Sequence, residues 1–351
     1  MKKIILMLIT LFLTTGCFNY LSLNDIAVVS LIHIDYKDEY IVTVEVRENE
    51  KDNPNASNFY TNSGMSLDIA FENIGLTLNK AIYLVDTDTL IITDNIIKDK
   101  LNNTLDYLTR ENNIGNNFNI LVSNDDINKI TETIKSNNKI VGSYIKDSIN
   151  NPYNNIVDIK FNKFVKNYLN DYKDMILPYG KLNNDKFMID EAIIFNNNKD
   201  LIRINNDDVK IYNLLNNVDR YSLFKINYNE GFLIYRVKSI KTKIDYKDNN
   251  IKIKLDIIGN FNEIDNISLN KNSINEVLDL TKDKINNNVN IFINKLLVNN
   301  IDALGFKKII YNKTKNKLDN INNLKCDILV DVALEREELT FDNIGDKRNE
   351  I

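Results

Sequence analysis

Between Ile26 and Tyr168 the apolar residues switch repeatedly between period two and period 3.6, and a chain patterned this way must stack helices on a sheet. Ile26–Ile34 is a dense β-branched run, and Tyr40–Arg47 alternates strictly. The polar stretch from Asp35 to Glu39 makes the two a hairpin. Residues 48–64, polar and holding Pro54 and Gly64, are expected to be a loop. Leu67, Ala70, Phe71, Ile74 and Leu78 then recur at helical spacing, with Ser66 placed to cap the helix. Ala81–Thr93 reads as two strands or one interrupted strand. A helix through Ile97, Leu101, Leu105 and Leu108 follows, then a strand over Phe118–Val122. A helix opens at Asp125-Asp126, and another runs through Val157, Phe161, Phe164, Val165 and Tyr168. Pro178-Tyr179-Gly180 reads as a turn.

The second half carries longer strands and longer helices. Phe187–Phe195 and Leu201–Ile204 form a strand pair, and a short helix spans Asp207–Leu215. Three strands over Tyr221–Tyr228, Gly231–Asp245 and Ile251–Ile258 come next. In the last of these, Ile251, Ile253, Leu255 and Ile257 alternate with Lys252, Lys254 and Asp256. Ile274, Val277, Leu278, Thr281, Ile285, Val289, Phe292 and Leu296 trace one face of a long helix, with Ser273 and Glu276 spaced as a capping box. A second helix is expected from Ile301 to Leu318, then a strand over Leu324–Leu334 with Cys326 on its buried face. The fold class is therefore α/β or α+β. Its expected segments are a leader at 1–16, an α/β domain at 17–185, a β-rich middle domain at 186–260 and a C-terminal domain at 261–351.

The chain opens MKKIILMLITLFLTTGCFNY. Lys2-Lys3 precede an apolar run, Ile4 to Leu13, which is of signal-peptide length and too short to span a bilayer comfortably. Small residues Thr14, Thr15 and Gly16 lead to Cys17, and this ending resembles a bacterial lipoprotein signal. The usual lipobox Leu three places before the cysteine is replaced by Thr14. The resemblance implies that Cys17 becomes the mature N-terminus, carrying a diacylglyceryl thioether and an N-linked acyl chain such as palmitoyl. Acyl chains at about 0.8 kcal/mol per buried methylene would hold a soluble domain at a membrane.

Cys17 thus needs no partner, and the only other cysteine is Cys326. With one histidine, His33, a zinc cluster and a disulfide framework are both excluded. His33 lies inside the first strand and reads as a structural residue. The formal net charge is -5 and the charges are scattered, which excludes the basic stripe of a nucleic-acid binder. No phosphate-cradling glycine loop occurs among ten glycines, and no nucleophile elbow, HExxH motif or EF-hand loop is present. The acidic pairs Asp125-Asp126 and Asp207-Asp208 sit where helix N-termini favour negative charge. No enzyme and no cofactor is expected. Asparagine makes up roughly a sixth of the chain, several times the usual share, and reads as compositional bias rather than physical need.

Several ordered segments carry a family resemblance. Thr15-Gly16-Cys17-Phe18-Asn19 leads to Leu23-Asn24-Asp25-Ile26-Ala27-Val28-Val29 and then Ile34-Asp35. Asp302-Ala303-Leu304-Gly305-Phe306 stands at the start of the last helix, and Ile189–Phe195 lies between. Together these resemble the Ger(x)C family, the C subunits of nutrient germinant receptors in endospore-forming bacteria. The departures are Phe18 for Trp, Asn19 for Asp, Glu191 for Gly, and Lys307 for the Gly that follows the D-x-L-G-F motif. Arg336-Glu337-Glu338-Leu339 only partly matches the family's closing R-x-x-G.

The resemblance implies three α/β domains, each a mainly antiparallel or mixed sheet flanked by helices. It implies a lipid anchor at Cys17 on the outer face of the spore inner membrane. It also implies action with two membrane subunits, A and B, in nutrient-triggered germination, without catalysis. On this view Leu23, Asn24, Asp25, Asp35, Asp302, Leu304, Gly305 and Phe306 are interaction residues. The plainer alternative is that Asn24-Asp25 cap a turn and Gly305 permits close packing. A second functional alternative is a solute-binding lipoprotein, which would hold a small nutrient in a deep interdomain cleft lined by aromatic and polar groups.

Overall fold

The hairpin forms as the alternation predicts: β1 (Ile26–Lys37) and β2 (Glu39–Arg47) pair antiparallel. They turn at Asp38, whose φ of 62° lies in the left-handed region that short polar side chains tolerate. The computed structural model describes residues 25–48, 53–111, 114–170, 172–184, 186–218, 220–265, 267, 269 and 271–335. Inside the expected loop lies a strand, β3 (Ser57–Gly64), paired with β2 along its whole length. Its polar sequence fits its place at the edge of the sheet. The helix α1 (Leu67–Leu78) is capped as expected, with Ser66 Oγ accepting the Ile69 N–H at 3.3 Å.

Strands β4 (Ala81–Tyr83) and β5 (Thr89–Ile92) both run parallel to β1, β4 against Ile26–Val28 and β5 against Leu31–Ile34. They are one interrupted strand. A π-helical turn (Ile96–Lys100) leads into α2 (Leu101–Arg110), and β6 (Asn119–Val122) pairs parallel with β5. Three helices follow, α3 (Ile127–Lys135), α4 (Val141–Asn150) and α5 (Phe161–Tyr168). Asp126 caps α3 through its carboxylate. The stripe did not announce α4, and α5 starts at Phe161 rather than at Val157.

The first sheet continues through β7 (Met175–Asn183), β8 (Lys186–Phe195) and β9 (Leu201–Ile204), in the order β3-β2-β1-β5-β6-β7-β8-β9. Pro178-Tyr179-Gly180, expected to turn, lies within β7. Proline has no N–H for a ladder, and here the β6–β7 pairing is reduced to one residue pair, Val122 with Tyr179. Helices α1, α2 and α5 cover one face over Ile32, Ile34, Leu90 and Ile92, while α3 and α4 cover the other over Leu31, Ile91 and Leu121.

A second sheet holds β10 (Leu223–Tyr228), β11 (Gly231–Lys247), β12 (Asn250–Asp265) and β13 (Cys326–Leu334) in that order. β13 is parallel to β12, so the chain between them must cross over. That crossover is α7 (Lys271–Val298) and α8 (Phe306–Thr314). Ile251, Ile253, Leu255 and Ile257 pack in one core with Val277, Ile285, Val289, Phe292 and Leu296. The helix α6 (Asn206–Leu215) joins this core and is closed by a capping box between Asn205 and Asp208.

The α/β architecture is present, with its strands gathered into two sheets. Strand pairing continues across the boundaries expected at 185 and 260. Asn183 of β7 pairs with Lys186 of β8, and β12 runs through 260. The β7–β9 stretch instead joins the two halves. Met175, Leu177, Ile193 and Phe195 face the first core, while Ile176, Ala192, Ile194 and Ile204 face the second. Two further expectations change. The long helix begins at Lys271, so Ser273 lies inside it and Glu276 accepts the Tyr228 hydroxyl at 2.5 Å. The last helix is short because 301–305 form a junction of their own. Asparagine also acquires a physical role. Among the described residues seven asparagines, from Asn79 to Asn300, hold positive φ, whereas Gly305 is the one glycine that does.

Candidate functional site

The D-x-L-G-F segment builds a buried clasp. Asp302 is 1% exposed, and its carboxylate accepts the N–H groups of Phe306 at 2.8 Å and Lys307 at 2.7 Å. These are the first residues of α8, whose N–H groups have no partner within the helix. Gly305, at φ 78°, lets the chain double back so that one side chain reaches both. The Asp302 N–H donates to Asp174 Oδ2 at 2.6 Å, and the Asp174 N–H donates to the Asp302 carbonyl at 3.0 Å. Asp174 directly precedes β7, so the clasp ties α8 to the strands that join the two cores. Ala303, Leu304 and Phe306 are buried in the second core. Burial pushes the Asp302 carboxyl up to about 6, opposed by the two backbone N–H groups and reinforced by Asp174. Burial also raises Asp174 and lowers Lys173.

Asp35 sits near the end of β1 and belongs to the first sheet. Its carboxylate accepts the Thr93 hydroxyl at 2.6 Å, the Tyr36 N–H at 2.8 Å and the Asn95 amide at 3.1 Å. Burial works against its charge, but these hydrogen bonds overcome it and hold the carboxyl below its ordinary value. Asp25 is exposed just before β1. Cys17, Leu23 and Asn24 lie outside the described residues. Asp35 and the clasp are built into different sheets, and each stabilises its own turn.

Three further polar groups, Glu45, Asp88 and His33, are buried in the first half of the chain. Glu45 is fully buried on β2 and accepts four hydrogen bonds: the hydroxyls of Ser30 and Ser57 and the N–H groups of Val141 and Gly142, all at 2.6–2.8 Å. It anchors the N-terminus of α4 on the sheet. Asp88 receives Arg47 at 2.7 Å, Lys146 at 2.6 Å and the Ser143 hydroxyl at 2.7 Å. His33 is 6% exposed, and neither ring nitrogen has a hydrogen-bond partner. Burial drops it to about 4, despite Asp35 and Asp126 nearby. Cys326, expected in the core, is half-buried at the start of β13; burial and then Asp327 push its thiol up to about 11. At neutral pH the imidazole is a weak base, because its conjugate acid titrates near 4, and the thiol is protonated rather than a thiolate.

An open cleft of about 450 Å³ lies where α4, β8, α6 and residues 221–223 meet. Tyr144, Tyr153, Phe187, Tyr221, Asp190 and Lys210 are among its lining. Tyr153 is 67% exposed and stands 5.6 Å from Tyr221, ring to ring. Among the described residues no group of three His, Cys, Asp or Glu is arranged to hold a metal ion, and no helix is long and apolar enough to cross a membrane.

Two α/β cores joined by a shared strand layer define a two-core α/β scaffold, in which the buried carboxylates of Asp35, Glu45 and Asp302 hold turns and helix starts. Comparison with known proteins makes this specific. Residues 19–182 match the family described as spore germination protein N-terminal domain, and residues 190–338 match spore germination B3/GerAC like, C-terminal. The chain belongs to the Ger(x)C family of spore germination proteins. The crystal structure of the GerBC protein shares the fold, with a TM-score of 0.59 at 10% identity over 87% of this chain and 97% of that one. No curated protein matches the chain.

Proposed function

We propose that this protein is the lipid-anchored C subunit of a nutrient germinant receptor, held by Cys17 at the outer face of the spore inner membrane. There it works with membrane subunits A and B and catalyses no reaction. The observation that carries the proposal is the family match, which runs from residue 19 to 338 across both cores. The use of Asp35, Asp302 and Gly305 as turn and helix-start residues supports a scaffold whose exposed faces meet partners. The test is germination of spores carrying Cys17→Ala, followed as loss of optical density with nutrient mixtures, with the inner-membrane fraction blotted in parallel. Loss from the membrane together with slower germination for some nutrients is expected. Unchanged membrane association and germination would overturn the anchor.

The cleft beside Tyr153 and Tyr221 favours a second reading, capture of a small solute, because aromatic and polar groups converge there. It is open rather than deep, which weakens that reading. Equilibrium binding of candidate nutrients to the purified soluble part, repeated with Tyr153→Ala, separates the two. Saturable binding lost in the variant supports solute capture.

A further inference from the structure

We infer that the cleft beside Tyr153 is one end of a longer groove that takes a neutral oligosaccharide chain. This goes beyond the solute-capture reading, because it assigns a polymer, and it holds with or without the lipid anchor. The cleft of about 450 Å³ does not stand alone. A second hollow of about 490 Å³ shares Tyr144, Ser148 and Asn154 with it. A third, of about 250 Å³, shares Asn55 and Lys139 with the second. The three form one continuous groove along the flank of α4. The middle hollow alone runs from Ile140 to Asn151, about 16 Å of helical rise. A long open groove encloses a single small molecule poorly, but it gives a chain contacts along its whole length.

The lining selects the class of ligand. Tyr153 is exposed on a turn that is pinned from both sides. Asn151 Oδ1 accepts the Tyr153 N–H at 3.0 Å, and the Pro152 carbonyl accepts the Tyr221 N–H at 3.2 Å. The Arg220 guanidinium donates to the Ile149 and Asn151 carbonyls at 3.2 and 2.9 Å. A large ring is thus held out in water on fixed backbone, where stacking on it costs little further ordering. Asp190 reaches the same end because it is a bulged residue of β8. Tyr179 pairs with Glu191 and Gly180 with Ile189, so Asp190 has no partner in the ladder. Its side chain, 3.7 Å from Lys181, is 29% exposed and lines the cleft. A cationic ligand is disfavoured, because Arg236 already lies over the Tyr221 ring at 4.1 Å and Lys139 over the Tyr144 ring at 4.9 Å. An anionic ligand is disfavoured because Asp147 and Asp190 line the groove and Lys210 is paired with Asp207 at 2.9 Å. The ligand that fits is neutral, gives hydroxyl donors to carboxylate and asparagine oxygens, and turns a C–H face to tyrosine. A pyranose ring meets all three demands, and a chain of them repeats along the groove.

The full-length chain, purified in a detergent without a sugar headgroup, is titrated into end-labelled cello- and chito-oligosaccharides from a single ring upward. Fluorescence anisotropy reports binding. Affinity is expected to climb with chain length and to level off once the groove is filled. Tyr153→Ala should weaken every length by about tenfold, the loss of one stacking contact, whereas Tyr153→Phe keeps the ring and the affinity. Asn55→Ala, at the far end, should weaken only the longer chains. Tyr153 and Asn55 are both exposed, so neither variant disturbs the core. A single ring that binds as tightly as a long chain would return the cleft to small-solute capture and overturn the groove. Failure of both series to bind at millimolar concentration, or binding indifferent to Tyr153→Ala, would overturn the oligosaccharide assignment and leave the receptor-subunit reading standing.

Discussion

The two sheets treat their polar residues in opposite ways. The first sheet is covered by helices on both faces, and Glu45, Asp88 and His33 are buried within it. The second packs one face against α7. Its other face carries Lys252, Lys254 and Asp256, half-buried or exposed; Lys252 pairs with Asp327, and Lys254 with Asp256 and Asp331. The same alternation of apolar and polar residues therefore has two meanings. On β12 the polar positions face water. On β2 the polar positions Thr43 and Glu45 face a second buried layer, and the chain must supply a donor for every acceptor there.

The largest test of this contrast is Glu45→Ala. It strands two hydroxyls and two helix-start N–H groups in the core, and should cost about 3–5 kcal/mol in urea denaturation. A loss below about 1 kcal/mol would mean that water satisfies these donors and the layer is not dry.

Next comes pH, where His33 in the first sheet and Asp302 beside the second act with opposite sign. His33 falls from 6.5 to about 4 on folding, so the unfolded chain binds the extra proton. Its contribution is complete above pH 6.5 and is lost as pH falls toward 4. Asp302 rises from 3.8 to about 6, so the folded chain binds the extra proton. Its contribution is complete below pH 3.8 and is lost as pH rises through 6. Each is worth about 3 kcal/mol at its limit, and the two oppose each other between pH 4 and 6. His33→Leu should expose a stability that declines with rising pH in this window, and Asp302→Asn one that declines with falling pH. Denaturation midpoints of the two variants that move in the same direction would refute the assignment.

Gly305→Ala is a smaller and purely conformational change. Its Cβ would meet nothing nearer than Lys173 Cδ at 3.8 Å, so only the positive φ is penalised. A loss of about 1–2 kcal/mol in thermal unfolding is expected. The smallest effect should come from the open face of the second sheet. Lys252→Ala removes ion pairs with Asp248 and Asp327 at 3.2 and 3.7 Å, and should shift stability by less than about 0.5 kcal/mol. A larger loss would show that this face is not a solvated one.

Periodicity, caps and turn chemistry are local properties, and they were legible wherever they were sufficient. The β1–β2 hairpin, the Ser66 and Asp126 caps, the face of α7 and the alternation of β12 could all be read from neighbouring residues. The D-x-L-G-F segment stood out only through its resemblance to the family, and the burial of Asp302 came from the tertiary structure. Its partner Asp174 could not be read, because the contact spans 128 residues. Nor could β3, a polar strand ordered by pairing with β2, or α4, whose start is held by Glu45 from another strand. The joining role of β7–β9 was hidden for the same reason. A strand buried on both faces has no solvent side to give it a pattern, so only the packing of two cores around it shows which residue serves which. Local sequence set the elements and their caps, whereas burial of the second face, a many-body outcome of packing, decided which polar residues became internal supports.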